Sequence, residues 1–102
     1  MYNIEYHPAL EQDLKELGHS TAQLVFKKLK KIAQNPIIGI DLGNKANMNL
    51  SGYKKVYVDK KRVRIVYKIV DEKIVIYVVA VGKRDDMEVY EKASDRVEDE
   101  YE

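Results

Sequence analysis

Two segments near the start of the chain show the spacing of amphipathic helices. In the first, Leu10, Leu14 and Leu17 recur every three or four residues, and Gly18 follows as a typical helix end. In the second, most lysines lie off an apolar face formed by Ala22, Val25, Leu29, Ile32 and Ala33. This helix should end at Asn35, because the residue before a proline disfavours helical conformation. The short segment between the two helices predicts an antiparallel helical hairpin.

Much of the remaining sequence alternates with the period of β-strands. Tyr2–Tyr6 predicts a short first strand. Residues 36–52 are rich in glycine, asparagine and aspartate, which predicts a surface loop. Tyr53–Val58 and Val63–Val70 then predict two strands that are joined by a turn at Asp59–Arg62.

The last part of the chain predicts one more strand and one more helix. Ile74–Val81 is apolar at every position, as expected of a central strand covered on both faces. Met87–Arg96 predicts a final helix, and the acidic tail at 97–102 is expected to fray. The element order is β-α-α-β-β-β-α. It predicts an α+β fold in which an N-terminal helical hairpin and a short C-terminal helix pack on a mostly antiparallel four-stranded sheet.

Composition narrows the class of protein. A chain of 102 residues allows one modest core, so we expect residues 1–102 to form a single domain. With no cysteine, disulfide scaffolds and thiolate metal sites are excluded. No apolar run approaches the roughly 20 residues of a membrane helix, and the first residues do not resemble a secretory signal. We therefore expect a cytoplasmic protein with no membrane association.

The net charge of +1 conceals a strongly uneven distribution. Residues 1–44 are balanced, with five basic and five acidic side chains. Residues 45–84 carry eleven lysines and arginines against three acids, and residues 85–102 carry nine acids against two bases. The basic middle is a candidate surface for a polyanion such as RNA. Charged hairpins that merely keep a sheet edge soluble are an equally open interpretation.

The residues of the common hydrolases are not in place. His7 and His19 lie beside predicted helix ends, and no third metal ligand stands at a useful spacing. Ser20 fits a helix cap better than a nucleophile. The pair Asp85 and Asp86 has no apolar surroundings that would favour acid–base catalysis. There is also no glycine-rich phosphate loop between a strand and a helix. We therefore expect neither a metal nor a cofactor.

Basic and tyrosine side chains remain as candidates for chemistry. On neighbouring strands they can converge on one side of the sheet; they are Lys54, Lys55, Arg64, Lys83, Arg84 and Tyr90. Arginine forks match phosphate oxygens, and tyrosine rings give bases a surface on which to stack. The simpler interpretation is that Tyr90 anchors the core and Arg84 is an exposed charge at a strand end.

Five short motifs in the second half of the chain resemble one known family. They are LSGYKK at 50–55, RIVY at 64–67, DEK at 71–73, VGKR at 81–84 and EVY at 88–90. In this order and at these spacings the chain resembles the RelE toxins of the RelE/ParE superfamily, the toxins of type II toxin–antitoxin modules. The match is strongest over residues 50–93, and the first half agrees in element order.

The resemblance implies an mRNA interferase that enters the A site of the 70S ribosome and cuts the codon displayed there. Attack by the RNA's own 2′-hydroxyl would require no metal, and a RelB-like antitoxin protein would neutralise the toxin. Four site residues carry over: Lys54 as base or charge stabiliser, Arg64 on the scissile phosphate, Arg84 on the developing charge, and Tyr90 orienting the nucleotide. Lys55 and Lys83 are further candidates for catalysis or RNA binding.

One feature of the family does not transfer directly. The family has a second basic residue two positions beyond its first strand lysine, and here that position is Val56. Lys55 is adjacent, but on an ideal strand its side chain should point to the opposite face. The turn Asp59–Arg62 is also one residue longer than in RelE, so a bulge in the strand could bring Lys55 into the role of the second lysine.

Two other functions remain open on this scaffold. A ParE-like toxin would inhibit DNA gyrase and cleave no RNA, although that class tends to lack the full set of Lys, Arg, Arg and Tyr. A non-catalytic RNA-binding module would protect RNA without cutting it. The candidate set of four residues favours RNA cleavage over both.

Overall fold

The described part of the chain forms five β-strands and three α-helices. The computed structural model describes residues 1–45, 48–83 and 88–100. The strands are β1 (Asn3–Tyr6), β2 (Ile40–Lys45), β3 (Met48–Val58), β4 (Val63–Val70) and β5 (Val75–Lys83). The helices are α1 (Leu10–Leu17), α2 (His19–Gln34) and α3 (Glu88–Glu100), with short 3-10 turns at Pro36–Ile38 and Asp71–Lys73. None of the helices in these ranges is long and apolar enough to cross a bilayer.

The sheet is five-stranded and mixed, which corrects the predicted four-stranded, mostly antiparallel arrangement. Its order is β1-β5-β4-β3-β2, and β1 runs parallel to β5 while the other pairs are antiparallel. The extra strand, β2, lies in the segment that we expected to be a loop. Its glycine at position 43 has a φ of +58°, and the pairing of β2 with β3 is irregular between Asp41 and Gly43. Glycines that normally signal turns therefore serve here as irregular positions inside paired strands.

A layer of helix covers each face of the sheet. On the hairpin face, α1 and α2 pack on Val56, Ile65, Tyr67, Ile76 and Val78. On the α3 face, the last helix packs on Leu50, Tyr53, Val66, Val79 and Ala80. β5 contributes to both cores, which confirms it as a central strand with two buried faces. The structure also confirms the two helices of the hairpin and the bounds of β4, whereas α3 continues four residues beyond its predicted end at Arg96.

A buried carboxylate joins the three layers. Asp13 of α1 has a side chain only 1% exposed and accepts two hydrogen bonds from the Arg96 guanidinium, at 2.6 and 2.9 Å. Asp13 also accepts from the Val81 backbone N–H at 3.1 Å, and Arg96 donates to the Val79 carbonyl at 3.0 Å. The bidentate geometry and these additional bonds satisfy both charges, so α3 is fixed to β5 and to the helical hairpin.

A tyrosine hydroxyl fixes the segment between α2 and β2. Tyr67 donates to the Pro36 carbonyl at 2.7 Å and accepts from the Gly39 N–H at 3.0 Å. A Cβ at Gly39 would overlap this hydroxyl, so only glycine fits at that position. Burial raises the pKa of Tyr67 above its usual 10.0; Asp41 adds to the increase and the Gly39 N–H opposes it.

Replacement of Arg96 by alanine should destabilise the fold strongly, because it leaves Asp13 buried without its main partner. We expect a loss of about 3 kcal/mol in the free energy of unfolding, measured by urea denaturation. The matched control is Lys15→Ala, which breaks only the exposed pair with Glu11 and should cost at most about 0.5 kcal/mol. A loss below about 1 kcal/mol for Arg96→Ala would show that the buried pair does not hold α3 in place.

The stability lost in Tyr67→Phe should depend on pH. Near pH 7 the variant loses the hydroxyl's two hydrogen bonds, at a cost of about 1–2 kcal/mol. Because the pKa of Tyr67 is raised in the folded state, its ionisation favours unfolding once the pH exceeds about 10. The phenylalanine variant lacks this ionisation, so the stability difference from wild type should narrow between pH 9 and 11 in denaturation curves. A difference that stays constant over that range would contradict the raised pKa.

Candidate nucleic-acid interface

The hairpin between β3 and β4 determines which side chains meet on the α3 face. Asp59, Lys60 and Lys61 all have left-handed φ values, of 54°, 55° and 71°, and the Arg62 N–H donates to the Asp59 carbonyl at 3.0 Å. Three consecutive non-glycine residues in this region are strained, and strain of this kind is common at functional sites. The turn pairs β3 with β4 in one register, which places Tyr57 directly opposite Arg64.

Arg64 lies between two tyrosine rings at the centre of the site. Its guanidinium carbon is 5.6 Å from the ring centroid of Tyr57 and 5.0 Å from that of Tyr90. Lys55 lies on the same face, two residues before Tyr57, and its Nζ donates to the Tyr57 hydroxyl at 2.9 Å. Lys55 Nζ is also 5.0 Å from the Tyr57 ring centroid. Two cations are thus held against one half-buried aromatic ring by cation–π contact.

The positive charge of this cluster is not neutralised within the described part of the protein. No carboxylate in residues 1–43, 48–83 and 89–97, where the structure describes the side chains, forms an ion pair with Arg64 or Lys55. The Nε of Arg64 is buried and has no hydrogen-bond partner among these residues. The guanidinium is therefore positioned by the two rings, and its charge remains available to an anion.

The structure places Lys54 on the opposite face, which corrects its predicted position beside Arg64. Lys54 is the register partner of Tyr67, whose ring lies in the core of the hairpin face. Its Nζ contacts Asp41 at 2.7 Å. No bulge interrupts the pairing from Tyr53 to Val58, so simple alternation sends adjacent residues to opposite faces. Lys55 faces Arg64 for the same reason, and the bulge that we considered for it is not present in this pairing.

Lys83 also differs from its predicted position. It ends β5 as the register partner of Val63, and its exposed side chain belongs to the hairpin face. The residue before it, Gly82, lies opposite Arg64. A Cβ at Gly82 would lie 3.1 Å from the Val89 Cβ, so this glycine allows α3 to begin close to Arg64. Arg84 lies outside the residues that the structure describes.

Tyr90 reaches Arg64 but is fully buried. Its side chain is 0% exposed and forms part of the core on the α3 face. This burial fits the simpler interpretation of Tyr90 as an anchor of the core, and not its predicted role in orienting the nucleotide. The buried ring packs against the Arg64 guanidinium and has no exposed surface on which a nucleotide could stack.

Sequence reasoning missed Tyr57, although a signal for it existed. In a hairpin closed by the four residues Asp59–Arg62, Val58 faces Val63 and Tyr57 must therefore face Arg64. Counting back two residues on the same face then leads to Lys55 rather than to Lys54. The site that the structure assembles is Lys55, Tyr57 and Arg64 over Tyr90. Among the described residues, no three His, Asp or Glu side chains are grouped as a metal site.

Comparisons with known proteins agree on one family. The model for the ParE toxin of the type II toxin–antitoxin system parDE matches residues 4–88. The mRNA interferase toxin RelE of Escherichia coli strain K12 is 32% identical over 102 residues, which cover 94% of this chain and 97% of that protein.

Solved structures of E. coli RelE share the fold. An arginine double mutant of RelE in the free state superposes with a TM-score of 0.72 at 27% identity, covering 94% of this chain and 97% of that one. The same mutant in complex with a peptide of the antitoxin RelB has a TM-score of 0.68 at 27% identity, covering 90% and 93% of the two chains. The fold and the family assignment therefore agree over nearly the whole length.

Proposed function

Because this chain belongs to the RelE/ParE family of type II toxin–antitoxin systems and is a RelE-like toxin, we propose that it cleaves mRNA. The proposed enzyme is a metal-independent endoribonuclease that acts on the codon in the ribosomal A site. The observation that carries the proposal is the cluster of Lys55, Tyr57 and Arg64 on one face, with two cations that no described carboxylate neutralises. Such a cluster fits a phosphodiester.

The reaction requires the protein to align the 2′-oxygen with the phosphorus, to assist two proton transfers and to stabilise the negative charge that develops on the phosphate. The ribose 2′-oxygen attacks the adjacent phosphorus, forming the O2′–P bond while the P–O5′ bond breaks. The 2′-hydroxyl proton leaves to an acceptor, and the 5′-oxygen gains a proton. The products are a 2′,3′-cyclic phosphate and a 5′-hydroxyl. Alignment, proton transfer and charge stabilisation together account for catalysis without a protein nucleophile.

Arg64 is proposed to bind the non-bridging oxygens of the scissile phosphate. Its guanidinium is held from two sides, by the rings of Tyr57 and Tyr90, at 5.6 and 5.0 Å. A preorganised cation stabilises the extra negative charge of the transition state without reorganising as it forms. Tyr90, being buried, acts as a positioning residue for Arg64 and does not contact the nucleotide.

Lys55 and Tyr57 are proposed to form the proton-transfer pair. Lys55 Nζ donates to the Tyr57 hydroxyl at 2.9 Å, and the pair lies next to Arg64. To act as the base, the pair must first lose one proton to solvent. It can then accept the proton of the 2′-hydroxyl. In the family, the second basic residue lies two positions beyond the first strand lysine. If Lys55 takes the place of the first lysine, Tyr57 takes the place of the second. The exposed part of the Tyr57 ring also offers a surface for a base.

The other predicted residues take lesser or separate roles. Arg84, which follows Lys83 directly in sequence, remains proposed for the charge on the leaving oxygen by resemblance to the family. Lys54, on the hairpin face with Asp41, is proposed to stabilise the β2–β3 pair and not to act in catalysis. Lys83 is proposed as an RNA-binding side chain at the end of β5.

A RelB-like antitoxin is the proposed protein partner. The E. coli RelE mutant in the solved complex binds a peptide of the antitoxin RelB. In the present chain Lys55 and Arg64 form no ion pair with a carboxylate in residues 1–43, 48–83 and 89–97. An acidic or amphipathic antitoxin segment would supply that charge and cover the site.

Two adjacent lysines provide a matched test of the site. Lys55→Ala should lower the rate of mRNA cleavage on ribosomes by about a hundredfold, as expected for loss of one preorganised electrostatic or proton-transfer group. Lys54→Ala removes the same charge one position away on the opposite face, and its rate should stay within about twofold of wild type. Single-turnover cleavage of mRNA on programmed ribosomes measures both rates. A large loss for Lys54→Ala with little loss for Lys55→Ala would reverse the assignment.

The reaction itself is tested by inducing the wild-type protein and Arg64→Ala in cells. Wild type should arrest growth, and primer extension should show cuts within codons of translated mRNA. Arg64→Ala should lose about two to three powers of ten in cleavage rate. Circular dichroism should show that its fold is retained, since the Arg64 side chain is only partly buried and belongs to neither core cluster.

Other outcomes would identify the alternative functions. Gyrase-dependent DNA breaks without mRNA cuts would establish a ParE-like toxin. Protection of RNA without cleavage, on ribosomes as well as off them, would establish a non-catalytic RNA-binding module.

A further inference from the structure

A second basic surface adjoins the site on the far side of Tyr57. It is a groove of about 470 Å³ between α2 and the β3–β4 turn, which we call the lysine groove. Its lining residues are Leu24, Lys27, Lys28, Lys31, Tyr57, Val58, Asp59, Lys60 and Lys61. The lining thus contains five lysines and only one acidic residue, and the rest of it is largely apolar.

The charge of the lysine groove is not satisfied by the rest of the described protein. None of its five lysines forms an ion pair with a carboxylate in residues 1–43, 48–83 and 89–97, where side chains are described. Side chains from two separate elements, α2 and the turn, therefore bring like charges together without internal neutralisation. Like charges repel, so the arrangement favours the entry of an anion into the groove.

The strained turn provides a second, independent observation. Lys60 and Lys61 both have left-handed backbone conformations, which cost energy for residues with a side chain. This conformation places Lys61 Nζ 6.0 Å from the Tyr57 ring centroid, and Arg64 lies 5.6 Å from the same centroid. Tyr57 therefore joins the lysine groove to the proposed catalytic cluster, and the two sets of cations lie close enough to contact neighbouring phosphates of one strand.

We propose that the lysine groove is a second RNA-binding subsite, which holds backbone phosphates of the same strand that carries the scissile bond. The inference rests on the proposed function. It adds where the RNA strand lies on the protein beyond the cleaved nucleotide. Lysine ammonium groups bind phosphates, while Leu24, Val58 and the Tyr57 ring offer apolar surface to sugars and bases. A protein partner is less well matched, since five lysines would then need an acidic segment that also fits the ring of Tyr57.

The test compares two variants with the same change in charge. In the groove variant, Lys28→Gln, Lys31→Gln and Lys61→Gln remove three groove charges and keep most of each aliphatic stem. In the control variant, Lys15→Gln, Lys30→Gln and Lys73→Gln remove three exposed charges outside the groove. None of these six residues belongs to the proposed catalytic cluster. Surface substitutions of this kind should each change stability by no more than about 0.5 kcal/mol.

The probe is fluorescent single-stranded 2′-O-methyl RNA, which cannot be cleaved because its 2′-oxygen carries no proton. Binding is measured by anisotropy at several salt concentrations with oligonucleotides of three and nine nucleotides. Wild type should bind the longer probe more tightly, with a steeper dependence on salt. The groove variant should lose that advantage. A plot of the logarithm of its association constant against the logarithm of salt concentration should be shallower by about 2, because each of the three lost phosphate contacts contributes about 0.7 to the slope. The control variant should behave as wild type.

Several outcomes would overturn the proposal. Equal losses in the groove and control variants would mean that net charge alone governs binding. Unchanged binding of the probes together with reduced cleavage on ribosomes would assign the groove to ribosomal RNA instead of the substrate strand. Unchanged binding and unchanged cleavage would leave the groove without a role in RNA recognition.

The proposed reaction and the groove can fail separately. If wild type does not cut mRNA but the groove variant alone loses salt-dependent binding of the long probe, the groove stands and the endoribonuclease assignment fails. If wild type cuts mRNA and the groove variant binds both probes normally, the reaction stands and the groove proposal fails.

Discussion

The register of the β3–β4 hairpin is the constraint on which the site depends. The turn at Asp59–Arg62 pairs Val58 with Val63, and every side chain of β3 is then assigned to one face by alternation. A change of one residue in that turn would move Lys55 and Tyr57 away from Arg64 and bring Lys54 to it. The same turn places Lys61 beside Tyr57, so its strained backbone contributes to both the proposed catalytic cluster and the lysine groove.

The core and the site are mechanically connected through α3. Asp13 and Arg96 fix this helix to β5 by hydrogen bonds of 2.6 and 2.9 Å, and Gly82 allows its first turn to approach the sheet closely. Tyr90 is thereby held beneath Arg64 with no exposed surface. Because the ring cannot move without disturbing the core, the guanidinium is positioned before any ligand arrives, which reduces the cost of ordering it.

The parts of the fold with strong local periodicity were predictable, and the parts decided by pairing were not. The helical hairpin and β4 follow directly from the spacing of apolar residues. β2 was missed because Gly43 and its neighbours have the composition of a loop, and only pairing with β3 makes the segment a strand. The choice between Lys54 and Lys55 also depends on pairing, but on the local pairing of β3 with β4. Alternation along β3 puts the two lysines on opposite faces, and the four-residue turn Asp59–Arg62 then sets Tyr57, and with it Lys55, on the face of Arg64.

The distribution of carboxylates explains why the cations of the site have no ion pair inside the described part of the fold. The most buried acid among the described residues, Asp13, is committed to Arg96 inside the fold, and Asp41 is committed to Lys54 on the hairpin face. Arg64, Lys55 and the groove lysines receive no such partner from residues 1–43, 48–83 and 89–97. Their mutual repulsion disfavours the compact protein alone, and it is relieved when a polyanion or an acidic protein segment binds the folded state. Stability and recognition are therefore linked: the charge that the fold leaves unpaired is the charge that RNA or an antitoxin can neutralise.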